Sequence, residues 1–132
     1  MKAGLAAALL SWISLASAED PAPVQFESLE MARTWAQAHA FGGVTERTLD
    51  YHGRRIVVLF LSHTSGIFSS EPFVLASQDK RWRVVFHADT YRENMDVSVV
   101  GDDLVFWRLG QSADSQRRVE AARLSLAMLR FD

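Results

Sequence analysis

The residues of this chain best suited to chemistry are its four histidines, because an imidazole can bind metal ions and transfer protons near neutral pH. His39 lies near the end of a predicted helix, and His63 and His87 end two predicted strands. Antiparallel strands bring these three to one edge of a sheet. Two strand spacings then separate His63 from His87 by about 10 Å. His52 falls in a predicted turn at the opposite edge, roughly 25 Å away.

A three-histidine metal site fits this arrangement, but no carboxylate stands beside the histidines at ligand spacing. We therefore expect separate surface histidines, with no metal site and no cofactor. A small hydrolase that uses His63 or His87 is an alternative. Ser62 cannot pair directly with His63, because neighbours along a strand point to opposite faces. The sequence has no cysteine and no G-x-S-x-G, H-E-x-x-H or phosphate-loop motif, so we favour a protein that is not an enzyme.

A helix and six strands are predicted to position these residues. Apolar residues at helical spacing indicate a helix over 28–41, with Ser28 as its N-cap and Gly42-Gly43 after its end. Alternation with a period of two then predicts strands over 45–51, 55–63, 73–77, 81–87, 95–100 and 104–109. The second strand is apolar on both faces, which predicts that it is covered on both sides.

In the fourth strand the alternation places Trp82, Val84 and Phe86 on one face, and Arg83, Val85 and His87 on the other. After Gly110, apolar residues recur at helical spacing across 119–131, although part of this segment also fits a final strand. Its alanine, leucine, glutamate and arginine content favours the helix. The predicted fold is α+β: an N-terminal helix, an antiparallel meander of about six strands, and a C-terminal helix packed on the sheet.

The first eighteen residues have the pattern of a cleaved secretory signal peptide. Lys2 supplies a positive charge, residues 3–15 are mainly apolar, and Ala16-Ser17-Ala18 precedes the expected cleavage. The apolar run is shorter than the roughly 20 residues that span a bilayer, so we predict no transmembrane segment after cleavage. We expect a periplasmic or secreted protein with a single globular domain over 19–132.

Composition supports one folded domain, because 48% of the residues are apolar and 23% are charged. The net charge of −2 becomes −3 when Lys2 is removed, which argues against a nucleic-acid-binding surface.

The predicted links between the strands differ in length. Tight turns at 52–54, 78–80 and 101–103 fall at one end of the meander, and longer links at 64–72 and 88–94 fall at the other.

Long loops on a rigid sheet commonly carry binding residues. The candidate binding residues at this end are Ile67, Phe68, Tyr91, Arg92, Glu93, His63 and His87. Phe68 fits two placements, an exposed apolar contact and an inward cap on the sheet. We predict an exported binding protein that uses these loops on a protein partner, and a periplasmic inhibitor or immunity protein is one concrete form. Besides the hydrolase, a structural envelope-associated subunit is a further alternative.

Overall fold

The computed structural model describes residues 22–63, 70–88, 95–109 and 118–132, which form one helix and eight strands. In chain order the elements are β1 (Gln25–Phe26), α1 (Leu29–His39), β2 (Gly43–Tyr51), β3 (Arg54–Ser62), β4 (Glu71–Gln78), β5 (Arg81–His87), β6 (Met95–Val100), β7 (Asp103–Leu109) and β8 (Arg118–Ser125). They make a five-stranded sheet in the order β1-β5-β4-β3-β2 and a three-stranded sheet in the order β6-β7-β8. All pairings are antiparallel.

The predicted architecture is wrong. Among the described residues, 63% are in strands and 12% are helical, and the strands form two sheets with one helix rather than a single meander between two helices. Strands β2 to β5 do follow each other as a meander, but the chain then leaves for a second sheet. A short strand, β1, also joins the free edge of β5, and it is not among the six predicted strands.

The predicted C-terminal helix over 119–131 is also wrong, because this segment forms β8 and then a tail without regular structure. Preference for a helix is worth only about 0.7 kcal/mol or less per ordinary residue. As a strand, the same segment pairs with the edge of β7 from Asp103 to Leu109. Pairing with a neighbouring strand thus overrides the local preference.

The helix begins as the sequence predicts, because the Ser28 side chain accepts a hydrogen bond from the Met31 N–H at 3.1 Å. Its buried residues, Leu29, Ala32 and Ala36, pack on one face of the five-stranded sheet. Arg33 fixes the helix to β2 through two hydrogen bonds of 2.8 Å to Glu46. The Arg33 guanidinium holds the pKa of Glu46 below its ordinary value.

The three-stranded sheet covers the other face of the five-stranded sheet. Ile56, Val58 and Phe60 of β3 face this second layer, whereas Val57 and Leu59 face the helix. Strand β3 is therefore apolar on both faces because it lies in the middle layer, as its sequence predicted. Aromatic rings join the two sheets: the ring of Phe106 lies 6.3 Å from that of Phe60 and 5.4 Å from that of Phe86. The remaining buried members of this core are Tyr51, Val74, Met95, Val97, Leu104 and Leu126.

The tight turns lie together at one end of the molecule. The Tyr51 hydroxyl, beside the β2–β3 turn, donates a hydrogen bond of 3.0 Å to Asp102 of the β6–β7 turn. The C-terminal tail covers the same end, where Asp132 accepts hydrogen bonds from the backbone N–H groups of Asp79 and Lys80 in the β4–β5 turn. The long links therefore leave from the other end.

Candidate functional site

One carboxylate joins two of the predicted site histidines at the end of the five-stranded sheet. Glu71 begins β4, between β3 and β5, and each of its oxygens accepts a hydrogen bond from one imidazole. Its Oε1 contacts Nε2 of His63, and its Oε2 lies 2.6 Å from Nε2 of His87. We call these three residues the histidine–glutamate cluster. Its side chains are 21–35% exposed, so solvent and ligands can reach them.

A β-bulge places His87 in this cluster. Strand β5 pairs Val84 with Leu75 and Phe86 with Val74, so Val85 is an additional residue that has no partner of its own in β4. Val84 packs on the helix side of the sheet, whereas Val85 and Phe86 both pack on the other side. Our prediction that His87 lies on the face opposite Val84 is therefore wrong. Bulges commonly redirect side chains next to functional sites.

The third histidine reaches the same place from the helix. His39 stacks on Trp35, with ring centroids 4.5 Å apart, and Trp35 packs edge-on against Phe73 at 5.2 Å. Phe73 in turn stacks on His87 at 4.2 Å. These rings and the histidine–glutamate cluster line a cleft of about 470 Å³, completed by Ala22 and Pro23. Three of the four histidines thus line one cleft, at the edge where the strand order placed them. Our expectation of separate surface histidines is wrong for His63 and His87, because both contact Glu71.

Hydrogen bonding fixes which nitrogen of each imidazole carries a proton. A carboxylate and a backbone carbonyl only accept hydrogen bonds. Nε2 is therefore the donor in His63 and in His87. In His39 the donor is Nδ1, which lies 2.9 Å from the carbonyl oxygen of Trp35, so Nε2 of a neutral His39 keeps its lone pair. This pattern suits both proton transfer and ligand binding.

Several predicted site residues lie outside the described residues: Ile67, Phe68, Tyr91, Arg92 and Glu93. The signal peptide predicted over 1–18 does so as well. His63 and His87 are described. His63 directly precedes the segment 64–69, and one described residue, Ala88, separates His87 from the segment 89–94. His52 lies in the turn between β2 and β3, where its Nε2 is 3.6 Å from Asp102, at the end opposite the cleft.

Glu71 was missed by the sequence analysis, which left it inside the 64–72 link. The alternation of the strand could have found it, because Glu71, Phe73 and Leu75 are every second residue and therefore lie on the same face, the helix side.

Phe41 was missed as a surface residue. Its side chain is 89% exposed, and the next residue, Gly42, donates a hydrogen bond of 2.7 Å to the carbonyl of Ser62 at the end of β3.

Comparison with protein-family models, with curated protein sequences and with solved structures finds no match to this chain. In the described parts of the chain, no helix is long and apolar enough to cross a membrane.

Proposed function

We propose that this chain is an exported binding protein that captures a protein partner at the end of the five-stranded sheet that carries the histidine–glutamate cluster. A periplasmic inhibitor or immunity protein is the form that we favour. One observation carries the proposal: the links predicted at 64–72 and 88–94 start after His63 and His87, whose side chains share a single carboxylate. The described residues that begin these two links therefore lie side by side at one end of the sheet. Long links on a sheet commonly carry binding residues.

An exposed aromatic side chain supports a protein partner at this end. Phe41 is 89% exposed and stands next to the end of β3. Large aromatic side chains supply much of the binding free energy in protein interfaces, because they bury a large apolar area with few torsions to fix. Trp35, which is half-buried, lines the cleft at the same end of the sheet.

Partner capture by matched variants tests the proposal. The exported protein is immobilised and exposed to secreted and envelope proteins, and a bound protein identified by mass spectrometry is then purified. We expect Phe41→Ser, Phe68→Ala and Tyr91→Ala each to raise the Kd for the purified partner, because each removes an aromatic side chain that we propose to contact it. Truncation of a central interface residue typically costs about 2 kcal/mol, which is roughly a 30-fold change in Kd.

Met128→Ser is the matched control, because Met128 is 83% exposed but belongs to the tail at the opposite end. It should leave the Kd unchanged. If all four variants bind like the parent chain, or if Met128→Ser weakens binding as much as Phe41→Ser, the binding surface lies elsewhere.

Export is part of the same proposal and has its own test. We propose cleavage after Ala18, on the evidence of Lys2, the apolar run and the small residues before Glu19. Mass spectrometry of the protein recovered from the periplasm or medium of a bacterial host should then show a chain that begins with Glu19. The Ala18→Arg variant should accumulate unprocessed in the cells, and export of a chain that still carries residues 1–18 would contradict the proposal.

A small hydrolase is the second candidate, because Glu71 orients His87 in the way that a carboxylate orients a general base. The described residues that line the cleft include no serine or threonine. A nucleophile would have to come from elsewhere in the chain or from water. Hydrolysis of simple esters or peptides that is lost in His87→Ala and retained in His52→Ala would favour this candidate over a binding protein.

A further inference from the structure

We propose that the cleft binds one divalent transition-metal ion of the zinc type through His63, Glu71 and His87. Imidazole nitrogens and carboxylate oxygens are ligands that Zn²⁺ prefers. The three residues come from the ends of three adjacent strands, and His39 lines the same cleft from the helix. This inference does not depend on the proposed capture of a protein partner.

Each of the two imidazoles lies close enough to Glu71 for that pair to share one ion. Two ligand atoms of a tetrahedral zinc site lie about 3.3 Å apart, because each bond is about 2.0–2.1 Å long. Oε2 of Glu71 and Nε2 of His87 are 2.6 Å apart, and Oε1 of Glu71 contacts Nε2 of His63. Each imidazole therefore has to move away from its Glu71 oxygen by only about 1 Å, and the two imidazoles, which contact different oxygens, have to turn towards each other to share the ion.

No three of the described His, Asp and Glu side chains surround a metal position as they stand. In this arrangement Glu71 stands between the two imidazoles and accepts a hydrogen bond from each. The ion takes the place of these two hydrogen bonds. Each neutral imidazole keeps one proton by carrying it on Nδ1, so that the Nε2 lone pair faces the ion. Turning of the three side chains converts the hydrogen-bonded cluster into a ligand set.

His39 is prepared for the same ion by its own hydrogen bond. Histidine ligands commonly donate the N–H that is not at the metal to a carboxylate or to a backbone carbonyl, which fixes the ring. Nδ1 of His39 donates to the carbonyl of Trp35, and its ring is stacked on the indole of the same residue. Its Nε2 therefore offers a further nitrogen donor within the same cleft.

Calorimetric titration of the purified protein with Zn²⁺, in the absence of a polyhistidine tag, tests the inference. We expect one ion per chain with a micromolar or lower Kd, and no comparable binding of Mg²⁺, which prefers oxygen ligands. His63→Ala, His87→Ala and Glu71→Gln should each weaken binding at least about tenfold. His52→Ala is the matched control and should bind Zn²⁺ like the parent chain, because His52 lies at the opposite end.

NMR spectra of the unaltered protein test the inference even if a variant fails to fold. Zn²⁺ should shift the NMR signals of the His63 and His87 rings and leave those of His52 in place. The inference is overturned if the parent chain binds no Zn²⁺, if the His52 ring responds instead, or if folded His63→Ala and His87→Ala variants bind Zn²⁺ unchanged. Loss of Zn²⁺ binding without any change in partner capture would leave the proposed function standing.

Discussion

Deletion of Val85 should leave His87 in the histidine–glutamate cluster. Deleting a residue from a regular strand turns the side chains beyond it to the other face. Val85, however, is the additional residue of a bulge, and its neighbours Val84 and Phe86 already pair with consecutive residues of β4. Without Val85, the strand would alternate regularly, with Phe86 and His87 on the faces that they occupy now.

The expected cost of this deletion is small. Val85 is half-buried against the core between the two sheets. Full burial of a valine side chain stabilises by about 1.5–3 kcal/mol, so the loss of a half-buried one costs about 1 kcal/mol. Ordering one residue fewer returns about 1 kcal/mol of backbone entropy. We therefore expect the free energy of unfolding to change by less than about 1 kcal/mol.

Urea denaturation followed by tryptophan fluorescence measures this change. Deletion of Ser98 is the matched control, because β6 pairs with β7 without any register shift. It should invert Met95 and Val97, which are 5% and 4% exposed, at a cost of about 3–6 kcal/mol. If deletion of Val85 destabilises the protein as much as deletion of Ser98, or if the stable variant no longer shows the His87 ring against Phe73 in NMR spectra, the argument from the bulge is wrong.

Three further predictions concern the scaffold. Phe106→Ala should lower the free energy of unfolding by about 3–5 kcal/mol in urea denaturation, because this 1%-exposed ring packs between the sheets; a loss below about 1 kcal/mol would contradict that packing. Ser28→Ala should lower the free energy of unfolding by about 1 kcal/mol in the same assay, since it removes the cap of α1. Ser28→Asp should keep the stability of the parent, because aspartate also caps helices. Hydrogen bonds from Ser77 and from the Lys80 and Asp79 backbone hold the pKa of Asp132 below its ordinary value of 3.8. The ionised Asp132 side chain therefore stabilises the fold above pH 3.8, and this contribution is lost as the pH falls further. Asp132→Asn should be less stable than the parent at neutral pH, and the difference should shrink in acid. A difference in stability that does not depend on pH would contradict this prediction.

Features that depend on neighbouring residues in the chain were predictable. The cap at Ser28 and the apolar spacing after it locate the helix, which extends over Leu29–His39 within the predicted 28–41. The apolar run of β3 predicts a strand covered on both sides, and the structure covers it with the helix and the second sheet. These signals are local, because capping and side-chain alternation need only a few consecutive residues.

Features that depend on pairing between distant residues were not predictable. The segment 119–131 has a helix-favouring composition, and only the free edge of β7 explains why it forms β8. The place of His87 depends on a bulge whose register is set against β4, and alternation within β5 alone gives the wrong face. Glu71 contacts His63 and His87 only because β4 lies between their strands. One register shift therefore decides whether the cluster exists.

The two ends of the molecule are built differently. At one end the turns are fastened by side-chain hydrogen bonds: Tyr51 reaches Asp102, and Arg130 forms an ion pair with Asp79 at 3.0 Å. The tail completes this end through Asp132. At the other end, polar and aromatic side chains line an open cleft beside the starts of the long links. A scaffold fixed at one end can bind a ligand at the other with little rearrangement of its strands, which lowers the entropic cost of binding. The histidine–glutamate cluster is therefore the place where substitutions should change binding more than they change folding.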